Sequence, residues 1–222
     1  MNCFVTGTDT GVGKTLISCA LLHVFATKGL RVAGMKPVAT GCDGDGNNQD
    51  AQQLQNASNV QMTTDQVNPY RFRDAIAPHI AARNGGVCID FNRILTSYNE
   101  LATRADVVVV EGVGGFKVPL NASQDIADLA KQLDLPVVLV VGIRLGCINH
   151  ALLTASAIEL CGLKCAGWVA NILDAGMPAL LDNIDALQQR LPAPMLGVVP
   201  WQLQPDARAV ALNLQSGWMA MH

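Results

Sequence analysis

The run Gly7-Thr8-Asp9-Thr10-Gly11-Val12-Gly13-Lys14-Thr15 carries the residue types needed to hold a phosphate. Its glycines let backbone N–H groups turn inward around an anion, and a helix that follows adds the partial positive charge of its N-terminus. Lys14 is placed to meet the β- and γ-phosphates, and the Thr15 hydroxyl to bind magnesium. The usual spacing is G-x4-G-K-[S/T]. Here Thr8 takes the first glycine's position and Gly7 lies one residue earlier, so the motif is a variant. A glycine-rich turn with a solvated lysine is the plainer alternative, and the strand–loop–helix context speaks against it.

Three further groups belong to the same chemistry. Glu111 ends a run of four valines and is followed by Gly112-Val113-Gly114-Gly115. An acid after an apolar strand is the general form of a magnesium-side carboxylate in phosphate-loop proteins, though a solvated strand-end acid would look the same. Asp50 follows a loop rich in Gly, Asp and Asn; from spacing alone an ordinary helix N-cap is its simpler reading. Magnesium takes one or two carboxylates with phosphate and water, so Thr15, Asp50 and Glu111 form a possible set. Lys36, in Gly34-Met35-Lys36-Pro37-Val38, is either a solvated strand-end lysine or a cation stabilising charge during phosphoryl transfer.

These residues need a scaffold, and the sequence alternates strand and helix. Strands are expected at Asn2–Thr6, Arg31–Lys36, Asp106–Val110, Pro136–Val141, Cys165–Asn171 and Met195–Val199. Helices are expected at Gly13–Thr27, from near Asp50, from an Asp90 cap to about Thr103, from Ser123 or Asp125 to Leu133, at Asn149–Leu160 and at Pro178–Gln189. The stretch Val60–Pro78 and the last twenty residues carry no clear pattern. Continuous β-branched runs fit strands buried on both faces, and the alternation argues for one α/β domain over 1–222, with a mostly parallel sheet and helices on both faces. In such a sheet ligands lie at the carboxyl ends of the strands, where each motif falls.

Composition agrees. Half of the 222 residues are apolar and the net charge is −3, with both signs scattered, so no basic nucleic-acid face is expected. Seven cysteines without a CxxC pair point to free thiols and a reducing cytoplasm. No signal-like segment or membrane span is expected.

GTDTGVGKT, GMKPVATG, VVVVEGVGG, VVGIRLGCINHALLTA and GWVAN occur in that order, and together they resemble the dethiobiotin synthetase family from Phe4 to about Trp201. The resemblance implies a phosphate-loop enzyme that converts 7,8-diaminopelargonate, CO2 and ATP to dethiobiotin, ADP and phosphate, with magnesium. It implies that Gly11, Val12, Gly13, Lys14, Thr15 and Leu16 wrap the phosphates, with Gly112, Val113 and Gly114 close to the nucleotide. It gives Thr15, Asp50 and Glu111 the metal, and makes Lys36 and Lys14 catalytic. Thr40, Gly115 and Pro119 fall beside the substrate, and Asn171, Pro200, Trp201 and Gln202 near the adenine. It also implies a homodimer, in which Gly146, Cys147, Ile148 and Asn149 reach the partner's substrate carboxylate. Cys147 would contribute its backbone; otherwise Cys147 and Asn149 read as a buried thiol and an N-cap. His150 reads as structural, His79 carries a weak substrate signal, and His23 and His222 have no argued role.

The chain departs from the family in places. Ile172 stands where a frequent form has an aspartate that reads the purine edge, so base selectivity stays open. Gly11 replaces an acid found in some members, and Asp206 is the loosely aligned acid beyond Trp201. Two other readings compete. An amidoligase of the cobyrinate-amidating type would need an ammonia-supplying domain. A switch ATPase would carry a signature lysine where Asp9 stands.

Overall fold

The computed structural model describes residues 2–215; His222 lies outside them. Six strands form one parallel sheet: β1 (Cys3–Gly7), β2 (Val32–Met35), β5 (Val107–Glu111), β6 (Val137–Ile143), β7 (Cys165–Ile172) and β8 (Met195–Val199). Two shorter strands, β3 (Val38–Thr40) and β4 (Tyr70–Phe72), pair in parallel as a separate sheet. The helices are α1 (Lys14–Ala26), α2 (Gln49–Ala57), α3 (Thr64–Val67), α4 (Pro78–Asn84), α5 (Phe91–Arg104), α6 (Ile126–Leu133), α7 (Cys147–Leu160), α8 (Leu180–Arg190) and α9 (Ala207–Ala211).

The large sheet runs β2-β5-β1-β6-β7-β8. From β1 the chain crosses outward to β2, returns to β5 and then passes to β6 on the other side of β1. The order therefore reverses at β1, and a ligand crevice belongs at its carboxyl end. Successive residues of β1 and β5 face opposite layers. Cys3, Val5, Val107 and Val109 pack with α1, whereas Phe4, Val108 and Val110 pack towards α5 and α6. From β6 and β7, Leu139, Val141 and Trp168 pack with α7 and α8. Burial on both faces is what the unbroken valine run requires.

Several element bounds move from the sequence expectation. Asp50 is not an N-cap: Asn48 caps α2, its side chain accepting from Ala51 N at 3.2 Å. Asn149 is not an N-cap either. The helix begins two residues earlier, after Gly146 in the left-handed region (φ 91°), which a glycine adopts without a Cβ penalty. Cys147 and Ile148 thus lie in its first turn. The helix expected from Pro178 begins at Leu180 and runs to Arg190, after Ala179 in the left-handed region. The stretch without a pattern, Val60–Pro78, holds α3 and β4, elements too short to register as periodicity. Near the C-terminus α9 packs on α1, and Gln215 N donates to Leu196 O at 2.6 Å, alongside the edge strand β8.

That last packing is close. A Cβ on Gly197 would stand 2.5 Å from the Asn213 carbonyl oxygen, a backbone atom with little freedom to retreat. Gly197→Ala is therefore expected to lower stability by about 1–3 kcal/mol, as overpacking does. The urea unfolding midpoint measures it, and an unchanged midpoint would show that the C-terminal segment yields freely.

Candidate active site

Gly11 and Gly13, both with positive φ (73° and 92°), shape the turn from β1 into α1. A Cβ on Gly13 would lie 2.2 Å from Asn171 Nδ2, so glycine is needed there for space as well as conformation. Asn171, near the end of β7, donates to Val12 O at 2.8 Å and holds the back of the loop. Thr8 N donates to Val140 O at 3.0 Å. Lys14 lies in the first turn of α1, and its ammonium donates to Asp9 O at 2.9 Å. Burial, with the Lys36 charge adding to it, pushes the Lys14 pKa down to about 8.

Lys36 follows β2 directly and is 3 % exposed. Its ammonium donates to Glu111 Oε1 at 2.5 Å, to Asp50 Oδ2 at 3.0 Å and to Gly112 O at 3.3 Å. Burial opposes the lysine charge, but Glu111 and Asp50 together outweigh it and raise the pKa. For Asp50, burial is likewise overcome by Lys36, and the carboxyl pKa is lowered. The segment that gave no sequence signal grips the Lys36 backbone: Lys36 N donates to Val67 O at 2.8 Å, and Asn68 Nδ2 to Lys36 O at 2.6 Å.

Glu111 is fully buried. Its Oε1 also accepts from the Thr15 hydroxyl at 2.9 Å, and its Oε2 has no hydrogen-bond partner among the described residues. Thr15, Asp50 and Glu111 thus converge from α1, α2 and β5. Two carboxylates and a hydroxyl are hard oxygen donors, and an unpartnered buried oxygen suits a small hard cation such as magnesium.

A cavity of about 320 Å³ opens over this cluster. It is lined by Gly11, Gly13 and Lys14–Thr15, by Lys36 with Asp50 and Glu111, and by Thr40, Val113 and Gly114, while the Val12 side chain is buried in the core. Ala39, Thr10 and Asn48 line it too, and sequence reasoning did not single them out. Asn48 links two sides of the cavity, donating to Thr40 O at 3.3 Å while capping the helix that bears Asp50. Its only sequence signal was a cap-forming asparagine before a helix.

Other expected site residues lie outside this cavity. Leu16 packs on the core. Gly112 takes part through its backbone, its N–H donating to Val5 O at 2.9 Å. Gly115 runs beside the phosphate loop, and Pro119 pairs with Asp125 in an isolated bridge. Pro200, Trp201 and Gln202 follow β8, whose Val199 is in register with Asn171, so they emerge beside the far end of the loop. Trp201 is half exposed, and Gln202 Oε1 accepts from Asp206 N at 3.0 Å. Gly146–Asn149 form the start of α7. Cys147 is buried there with its N–H on Arg144 O, and Asn149 is exposed. Arg144 itself, which the sequence did not single out, bonds Asp9 Oδ2 at 2.5 Å.

The profile of the family described as an AAA domain, a phosphate-loop family, matches residues 1–208. An ATP-dependent dethiobiotin synthetase BioD from Nitrosospira multiformis is 52 % identical over 98 % of this chain and 96 % of its own length. The chain belongs to the dethiobiotin synthetase family. A second dethiobiotin synthetase, from Janthinobacterium sp., is 51 % identical over 96 % of this chain and 93 % of its own. Among solved structures, the MinD cell division protein of Aquifex aeolicus superposes with a TM-score of 0.57 at 15 % identity, covering 91 % of this chain and 83 % of that one. This likeness shows the fold alone, whereas the match to dethiobiotin synthetases runs over nearly the full chain at about half identity.

Removing one partner from a buried ion pair leaves an uncompensated charge, a loss of about 3–5 kcal/mol. Lys36→Met is expected to destabilise the protein by that amount, because Glu111 is fully buried. Adding Glu111→Leu should recover most of the loss. Guanidinium unfolding of the two variants tests this, and a double variant less stable than Lys36→Met would refute it.

Proposed function

We propose that the whole chain, 1–222, acts as one ATP-dependent dethiobiotin synthetase, closing the ureido ring of dethiobiotin from 7,8-diaminopelargonate and CO2 in biotin biosynthesis. The observation that carries this reading is near-full-length identity of about half to named dethiobiotin synthetases, joined to a cavity lined by two lysines and two carboxylates.

The chemistry begins with a carbamate, formed when one substrate amine adds CO2 and gives up a proton. Its oxygen takes the γ-phosphoryl group of ATP, and ADP departs. The second amine attacks the activated carbonyl carbon and gives up a proton, phosphate leaves with the former carbamate oxygen, and the ring closes. A carbamate is a poor electrophile until phosphorylated, so two anions must be held together. The backbone of Gly11–Leu16 and the Lys14 ammonium take the phosphates, with Gly112–Gly114 beside them. Lys36 lines the same cavity and offsets charge on the carbamate and the transferring group. Thr40, Gly115 and Pro119 border the substrate, and Asn171 with Pro200–Gln202 border the base. Thr15, Asp50 and Glu111 would hold magnesium, which neutralises phosphate charge when bound.

The same reading includes a homodimer in the cytoplasm. No helix of the described residues is long and apolar enough to cross a membrane. α7 instead presents exposed Leu153 and Leu160 two turns apart on one face, after an exposed Leu145. Such a face supports burial against a second copy. It would carry the free N–H groups of the first turn, Ile148 and Asn149, towards the partner's substrate carboxylate.

Purified protein with ATP, magnesium, bicarbonate and 7,8-diaminopelargonate should yield dethiobiotin by mass spectrometry. Lys14→Ala should lower the rate by about 100-fold or more while staying folded, in the range for loss of one preorganised charge-stabilising donor. Absence of product from the unaltered protein, or full turnover by the variant, would refute the reading. Leu153→Asp is expected to shift the protein to monomer in sedimentation velocity; an unchanged sedimentation coefficient would remove α7 from the interface.

A further inference from the structure

The phosphate loop has well-defined anchors at its two ends and a weak middle. Thr8 is held by Val140 O, and the Val12 carbonyl by Asn171. Between them, Thr10 and Gly11 are exposed, and a Cβ on Gly11 would meet nothing within 4 Å. Within this stretch Asp9 makes three bonds. Its Oδ1 accepts from Thr10 N at 2.7 Å, its carbonyl accepts the Lys14 ammonium at 2.9 Å, and its Oδ2 takes Arg144 Nη2 at 2.5 Å. Among the described residues the Arg144 bond is the one hydrogen-bonded tie on Asp9–Gly11 from outside the motif.

Arg144 follows β6 directly. Its carbonyl accepts Cys147 N at 3.0 Å, closing the turn into α7. The backbone of Arg144 is therefore fixed by the sheet on one side and the helix start on the other, and its guanidinium projects from a rigid base. Both partners of the pair have side chains 46 % exposed. An ion pair so open to water contributes little to global stability. Its effect falls on the loop, where fixing one carboxylate limits a glycine-rich segment that otherwise has to be ordered when a ligand binds.

We propose that Arg144 is a positioning residue for nucleotide binding. Through Asp9 it holds the middle of the phosphate loop, and with it the carbonyl that orients the Lys14 ammonium. It also joins that loop, through a single residue, to the start of α7. This inference rests on the reading of residues 7–15 as the ATP site.

Titration with a fluorescent ATP analogue tests it on the full-length protein. Arg144→Ala is expected to weaken binding five- to ten-fold, to raise KM for ATP by a similar factor and to change kcat less than two-fold. Arg144→Lys should restore affinity to within about three-fold of the unaltered protein. Asp9→Asn should match Arg144→Ala, and the double variant should be no weaker than either alone, since both remove one interaction. Thermal midpoints should stay together, because the pair is exposed. Normal binding by Arg144→Ala, or losses that multiply in the double variant, would overturn the proposal while leaving the ATP site intact. No binding by the unaltered protein would overturn the ATP site and this inference with it.

Discussion

An ammonium buried beside two carboxylates is costly unless every partner is in place, and Lys36 meets that condition only because three separate parts of the chain agree. β5 delivers Glu111 from the interior of the sheet. α2, started by Asn48, delivers Asp50. Val67 and Asn68 seize the Lys36 backbone just past β2. A shift in any of them would strand a charge, so the cluster and the fold specify each other. The phosphate loop is tied into the same network, since Thr15 shares a Glu111 oxygen with Lys36.

Much of this was legible in the sequence for physical reasons. A strand buried on both faces can be a plain run of valines, and a phosphate turn demands glycines followed by Lys-Thr, so both leave strong local marks. The mark for Asp50 pointed elsewhere, because an acid at a helix start is ordinarily a cap; only the structure shows that Asn48 takes that task and frees the carboxylate. α3, β3 and β4 span three or four residues each, too few for a period to show. The start of α7 was misplaced because Asn149 looks like a cap, whereas a left-handed glycine began the helix earlier. Asn68 and Arg144 act through single long-range bonds that no spacing encodes.

The architecture and the family carry different information here. MinD from Aquifex aeolicus shares the fold at 15 % identity, a level that speaks for the scaffold alone. The same scaffold serves unrelated tasks, so function has to be argued from the side chains that rise from it. At position 9, where a switch ATPase would carry a signature lysine, this chain has an aspartate, and that aspartate pairs with Arg144 from the turn between β6 and α7.

The two sheets differ in what they leave free to vary. Adjacent strands of a sheet keep a spacing of roughly 4.8 Å, and β1 and β5 are neighbours in register from Cys3 with Val109 to Val5 with Glu111. The interval between the phosphate loop and Glu111 is therefore set by backbone hydrogen bonding, like marks on a ruler. Thr40 stands on the small β3–β4 pair instead, which is hydrogen-bonded to no strand of the large sheet. Substitutions there can reshape one wall of the cavity without disturbing that interval. A chain built this way can drift in what it admits while keeping the distance over which it reacts.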